Sequence, residues 1–259
     1  MSGVKQKQKM DSETSGAAAG GSAGAPAPLN FALTPRSLAG AFAIVVVCLL
    51  IAHLGVQTAR FVTGDERLYG LTYMFGLGAE MNIPTFYSAF ALLFCSGLLA
   101  FTGFLTVRTG KPMAVYWFGL ALIFMFLASD EMLVLHEKLI DPVRRSLHTS
   151  GVFYYAWIIP YALITGAIGG VYVKFLLSLP RRTGIGIVIA GGTFVAGAIG
   201  FEMLGGLLYE SMGSDNLSYL AAQTAEEALE MIGIVIFIYV IADYVATEFN
   251  RASISLGRN

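Results

Sequence analysis

Residues 85–107 read TFYSAFALLFCSGLLAFTGFLTV, 23 positions without a charged side chain. A helix rises about 1.5 Å per residue, so this run crosses a hydrocarbon core of about 30 Å with a few residues to spare. The run lacks the in-out alternation of a barrel strand, and an open strand would leave its backbone groups unsatisfied in lipid. It reads as a transmembrane helix.

Five further runs of similar character lie on either side, at about residues 38–56, 113–136, 152–179, 184–209 and 225–246. Together they predict an all-α, polytopic membrane bundle of about six transmembrane helices occupying residues 35–248. Residues 1–34, with Lys5, Lys7 and Lys9 before a stretch of Gly, Ala, Ser and Pro, carry too little apolar surface to fold and are expected to be a disordered cytoplasmic tail. Residues 249–259 are expected to be a short cytoplasmic C-terminal tail. The first apolar run begins only after Arg36, which does not fit a cleaved signal peptide.

Composition agrees. Of the 259 residues 56% are hydrophobic and only 13% charged, against roughly 25% charged in soluble domains. A net charge of -1, with no basic cluster beyond the first residues, argues against a nucleic-acid partner. The partner expected from composition is the lipid bilayer. Cys48 and Cys95 fall inside apolar runs and lack the spacing of a metal or redox pair.

Lys and Arg in short loops favour the cytoplasm. Arg36, the turn with Arg108 and Lys111, and the turn with Lys174, Arg181 and Arg182 share one side, which places both termini in the cytoplasm. The loops with Asp65, Glu66 and Glu80 and with Glu210 and Asp215 lie opposite, although Lys138, Arg144 and Arg145 weaken the contrast. The long segment 57–84 is expected to pack on the outer rim as a lid. Gly191, Gly192, Gly197, Gly200, Gly205 and Gly206 suggest close helix approaches and a central place for the fifth span.

Ionisable groups at membrane depth are costly and mark candidate sites. The third span ends in Asp130, Glu131, His136 and Glu137, the fifth carries Glu202, and the sixth begins with Glu226, Glu227 and Glu230. With the assigned topology all of them approach the outer face, where His53 and Glu80 also fall. In one continuous helix Asp130 and Glu137 share a face while Glu131 and His136 point elsewhere, so the four could not serve one centre. Several carboxylates crowded in a low dielectric ionise together only with a cation among them. Carboxylates mixed with imidazole suit iron, manganese or zinc.

The expected ligands of such a divalent transition metal are Glu131, His136, Glu202, Glu227 and Glu230. Asp130 and Glu80 would orient them or act as general base, and His53, Glu137 and Glu226 are alternative ligands. Plainer explanations compete: Thr224 followed by Glu227 fits a helix capping box, His53 fits a hydrogen-bonded structural histidine, and Glu137 with Lys138 and Asp141 with Arg144 fit a solvated helix end.

Four motifs stand out: EMNIPTFYS from Glu80, SDE from Ser129 with His136-Glu137, FEMLGG from Phe201, and TAEEALEMIG from Thr224. Together they resemble a family of uncharacterised bacterial six-span membrane proteins. The resemblance covers most of the chain from the first helix onward and implies residence in the bacterial inner (plasma) membrane. It brings no activity, but implies that Glu80, Asn82, Pro84, Asp130, Glu131, His136, Glu137, Glu202, Glu226, Glu227 and Glu230 belong to one feature.

Three functions fit the pattern. The first is a metal-binding bundle, as a membrane oxidoreductase or hydrolase. The second is a proton- or cation-coupled transporter. The third is a structural or accessory subunit of a homo-oligomer or membrane complex, its acids paired with Arg60, Arg67, Arg144 or Arg145 or hydrogen-bonded to Tyr and Ser across helices. The sequence shows no phosphate loop, dinucleotide fingerprint or Ser/His/Asp arrangement that would name a reaction, and too few buried histidines for paired haem ligation.

Overall fold

A computed structural model describes residues 34–249. The expectations for both tails lie outside these residues, apart from the residues that open and close the bundle. The architecture is all-α, with six helices long and apolar enough to cross a membrane.

Helix α1, Pro35–Thr63, starts in a reciprocal cap: Thr34 Oγ1 accepts the Ser37 N–H, and Ser37 Oγ accepts the Thr34 N–H. It ends where Gly64 takes a left-handed conformation. Its last turns absorb residues 57–63, so the linker is shorter than expected, and the short helix α2, Leu71–Phe75, sits within it. Helix α3, Ile83–Arg108, is capped by Asn82, whose Oδ1 accepts the Thr85 N–H at 3.1 Å. Helix α4, Ala114–Leu133, is followed by the short helix α5, Ile140–Leu147. Helix α6 covers Ile158–Ser178.

The fifth span runs from Arg181 to Met212 as one long element, α7 (Arg181–Val195) joined to α8 (Glu202–Met212) by a π-helical segment at Ala196–Phe201. Helix α9, Leu217–Glu248, completes the bundle.

Apolar helices gain little from leaving lipid for protein, so packing and interhelical hydrogen bonds hold the bundle together. The central elements are α3 and α9, which supply Ala91, Cys95, Leu99 and Thr102 and Met231, Ile238 and Ile241 to the interior. Helix α4 packs along α3, where Ser96 Oγ donates to Ala121 O at 2.7 Å, and both α1 and α7 pack against α9. Phe124 stacks on Phe237 at 4.4 Å, and Trp117 fits between Phe175 and Tyr244 at 4.9 and 5.1 Å. Each such aromatic pair contributes about 0.5–1.5 kcal/mol beyond its buried area.

The fifth span packs on α9 but is less buried than α3 or α9, and its glycines differ in what they meet. Gly191, Gly192 and Gly200 face open space. Gly197 and Gly206 do make close approaches: a Cβ at Gly197 would stand 2.6 Å from the backbone oxygen of Glu226, and one at Gly206 3.1 Å from Tyr154 Cβ.

Two helix ends also differ from the sequence expectation. Helix α9 begins eight residues before Ala225, because Asn216 caps it by accepting the Tyr219 N–H at 2.8 Å. Thr224 is thus mid-helix, donating to Leu220 O, and the capping-box explanation of Glu227 fails. Helix α4 ends at Leu133 rather than His136, because Val134 turns into the left-handed region at φ 51°.

Candidate functional site

The break at Val134 reorganises the acidic stretch. Asp130 and Glu131 stay on the last turn of α4, while His136 and Glu137 follow on a chain that has turned back on itself. Asp130 fastens the turn, its Oδ1 accepting the His136 N–H at 2.8 Å and its Oδ2 standing 3.4 Å from the ring Nδ1. A single continuous helix would have pointed these four side chains apart; with the chain reversed, all four line one cavity, and His136 and Glu137 of the four fall in one close group.

That cavity, of about 220 Å³, lies at the end of the bundle where α4 and α8 finish and α3, α6 and α9 begin. Each element brings its part for a local reason. The linker after α2 delivers Glu80, since Asn82 Nδ2 ties it down by donating to Tyr73 O and Gly76 O at 3.0 and 2.6 Å. The π-helical segment, in which the wider turn leaves one residue out of register, precedes Glu202 and lets Gly197 meet α9 beside Glu226 and Glu230. Because α9 starts early, Glu226, Glu227 and Glu230 project from its third and fourth turns rather than its first.

The wall thus carries eight carboxylates, Glu80, Asp130, Glu131, Glu137, Glu202, Glu226, Glu227 and Glu230, and one imidazole, His136. Among the described residues no Lys or Arg forms an ion pair with any of them. Arg60 pairs with Asp215, Arg145 with Asp141, and Arg144 stacks on Tyr154 and donates to its carbonyl. The pairing of the site acids with these arginines, one of the two arrangements expected of a purely structural subunit, does not occur among the described residues.

The tightest grouping of donors is Glu80, His136 and Glu137, each offering an atom within 4.8 Å of the others. Two donors about 2.1 Å from one ion are at most roughly 4.2 Å apart, so a cation would need to draw these three inward only slightly. With Nδ1 engaged by Asp130, Nε2 is the nitrogen left for a ligand, the carboxylate–histidine arrangement common around metals. Of the five ligands expected from the sequence only His136 belongs to this trio. Glu131, Glu202, Glu227 and Glu230 line the same cavity, as does Glu226.

His53 does not line it. Its Nδ1 accepts the Leu77 N–H and its Nε2 faces Thr224 Oγ1, both at 3.1 Å, so the ring is neutral with the proton on Nε2 and has no nitrogen left for a metal. The structure thus gives no support to His53 as an alternative ligand and matches the expectation of a hydrogen-bonded structural histidine. It serves instead to anchor the linker that carries Glu80.

Charge and burial act together on the groups outside the spans. Burial raises the carboxyl pKa of Glu80; His136 opposes the shift, while Glu137, Glu202 and Asp130 add to it. At His136 burial disfavours the cation, but the hydrogen bond and charge of Asp130, with Glu80 and Glu202, outweigh it and hold the ring above its ordinary pKa. Burial, with the hydrogen bond to Tyr219, raises Tyr155 and keeps it a phenol.

Aromatic residues that sequence reasoning missed complete the wall. Trp157 Nε1 donates to Glu202 Oε1 at 3.2 Å, and its ring lies 4.8 Å from that of His136. The hydroxyls of Tyr155 and Tyr219 meet at 3.0 Å. Trp157 had a usable signal: one of two tryptophans in the chain, it stands at the start of a span on the acidic side, where a buried indole needs an acceptor. A second, wider cavity of about 670 Å³, lined by Gln57, Arg60, Thr72 and Asp215, shares Gly78, Tyr219 and Gln223 with the first.

No curated protein and no solved structure matches the chain. Residues 40–244, which hold every cavity residue named above, match the family described as a domain of unknown function, DUF8692, and the chain belongs to that family.

Proposed function

We infer that the carboxylate cavity is a metal centre and that the protein is a membrane-embedded oxidoreductase or hydrolase using a divalent transition metal: iron, manganese or zinc. The observation that carries this is the Glu80, His136 and Glu137 trio, surrounded by uncompensated carboxylates and holding one nitrogen donor already oriented by Asp130. Mixed oxygen and nitrogen donors favour these metals over magnesium or calcium. Glu131, Glu202, Glu227 and Glu230 offer further carboxylates in the same cavity, where a second ion or a substrate would be held.

A bound ion would supply Lewis acidity or a redox couple. The chain's own groups supply the rest. Asp130 holds His136 in one orientation, Trp157 fixes Glu202, and carboxylates not engaged by metal can move protons. The Lys and Arg weighting of the loops supports a topology with both termini in the cytoplasm and the site at the opposite face of a bacterial inner membrane.

Elemental analysis of protein purified gently without chelators is the test, beside His136→Ala, Glu80→Gln, Glu202→Gln and Glu230→Gln. Stoichiometric metal, lost in His136→Ala and Glu80→Gln, is the expected outcome. Metal-free native protein that also fails to take up added iron, manganese or zinc would overturn it.

A further inference from the structure

An apolar groove of about 440 Å³ runs between α4, α6 and α7, with α9 at its floor. Its rim includes Leu122, Phe126 and Ile164, all exposed on helices that cross the membrane, so bilayer chains reach it directly. The groove borders the carboxylate cavity. Leu92, Leu127, Tyr161, Thr165, Phe194 and Val195 form part of its wall and part of the wall of the carboxylate cavity. The two hydroxyl-bearing residues at this junction, Tyr161 and Thr165, stand where hydrocarbon surroundings give way to carboxylates. Helix α6, which forms one side, is the least buried of the six long helices.

The geometry points to a membrane lipid as the substrate of this centre: its hydrocarbon chain lies in the groove and its uncharged polar head passes Tyr161 and Thr165 to the carboxylates. This assignment rests on the metal-centre reading for the chemistry but not for the binding. An uncharged head follows because a charged one of either sign would lose its hydration in the apolar groove, and the carboxylates of the cavity wall repel an anionic one besides. Entry is sideways from the bilayer, so the substrate never has to leave lipid.

Gly191 makes the groove testable, because a side chain added there meets no other atom within 4 Å and would project into the groove. Gly192, equally open but absent from the groove wall, is the matched control. The probe is a long-chain fatty alcohol carrying a diazirine in its chain, in phosphatidylcholine vesicles containing the protein, with cross-linked peptides mapped by mass spectrometry. Labelling at Tyr161, Thr165 and Phe194 is expected in the native protein, lost in Gly191→Phe and kept in Gly192→Phe. Should Gly191→Phe fail to fold, Leu122→Trp narrows the groove from its other side and should give the same loss.

Labelling confined to exposed side chains such as Leu163 and Leu177, or equal in groove and control variants, overturns the inference. Metal content is read on the same samples. Metal present without junction labelling refutes the lipid assignment alone, whereas junction labelling without metal refutes the metal centre and leaves the lipid site standing.

Discussion

Asp130 grips His136 twice, through the backbone N–H at 2.8 Å and towards the ring Nδ1 at 3.4 Å, across a chain reversal centred on Val134. One carboxylate thereby sets both the path of the chain and the orientation of the only imidazole on the cavity wall.

Asp130→Asn should keep the backbone acceptor while removing the charge that favours the ring's orientation. Changes of this kind typically cost 10–100-fold in metal affinity. Metal titration should therefore show weaker binding with the full stoichiometry regained at higher metal concentration, and unchanged affinity would show that Asp130 has only a structural part.

Asn82 joins the linker to the start of α3 and so fixes Glu80 two residues earlier. Replacing an Asn cap by Ala usually costs about 0.5–2 kcal/mol. Asn82→Ala should lower the melting temperature in detergent and also weaken metal binding. A melting point that falls with metal affinity intact would separate the cap from the site.

The spans were legible because an uncharged run such as residues 85–107 has few alternatives in lipid, and the acids were legible because carboxylates are conspicuous there. Helix ends were not. The first turns of α9, Leu217 to Thr224, are mixed in polarity and sit outside the hydropathy run, although Asn216 was a capping signal in plain view. Val134 gave no signal, since a β-branched residue is a poor candidate for a left-handed turn and only the tertiary fold holds it there. That one residue decided whether Asp130, Glu131, His136 and Glu137 could line one cavity, which is why the sequence did not single out Glu80 and Glu137 beside His136.

Gly197 and Gly200 belong to the same π-helical segment but should respond oppositely to a methyl group. Gly197→Ala sets a Cβ 2.6 Å from Glu226 O and must push the segment away from α9, an overpacking that costs about 1–3 kcal/mol. Gly200→Ala meets nothing within 4 Å and should be neutral or stabilising by up to about 1 kcal/mol. Thermal melts of both variants check this, and equal losses would mean that the segment matters for its flexibility rather than for its contact with α9.

The sign of the pH dependence should depend on metal. Glu80 holds its proton more tightly in the folded protein than in the unfolded chain, because burial and the charges of Glu137, Glu202 and Asp130 outweigh His136. His136 does so too, because Asp130, Glu80 and Glu202 outweigh burial. A group whose folded pKa is raised contributes stability that is complete below its unfolded pKa and is lost as pH rises through the folded one. Metal-free protein should therefore lose stability as pH climbs from the ordinary glutamate value of about 4.3 past the ordinary histidine value of about 6.5. A bound divalent ion requires deprotonated ligands and neutral imidazole, so its stabilisation grows over the same range. Melting temperatures between pH 5 and pH 8, measured with chelator and with manganese or zinc, should start close together at low pH and diverge as pH rises. A constant gap would place the ion away from Glu80 and His136, since only ligands that exchange protons for metal in this window make the curves part.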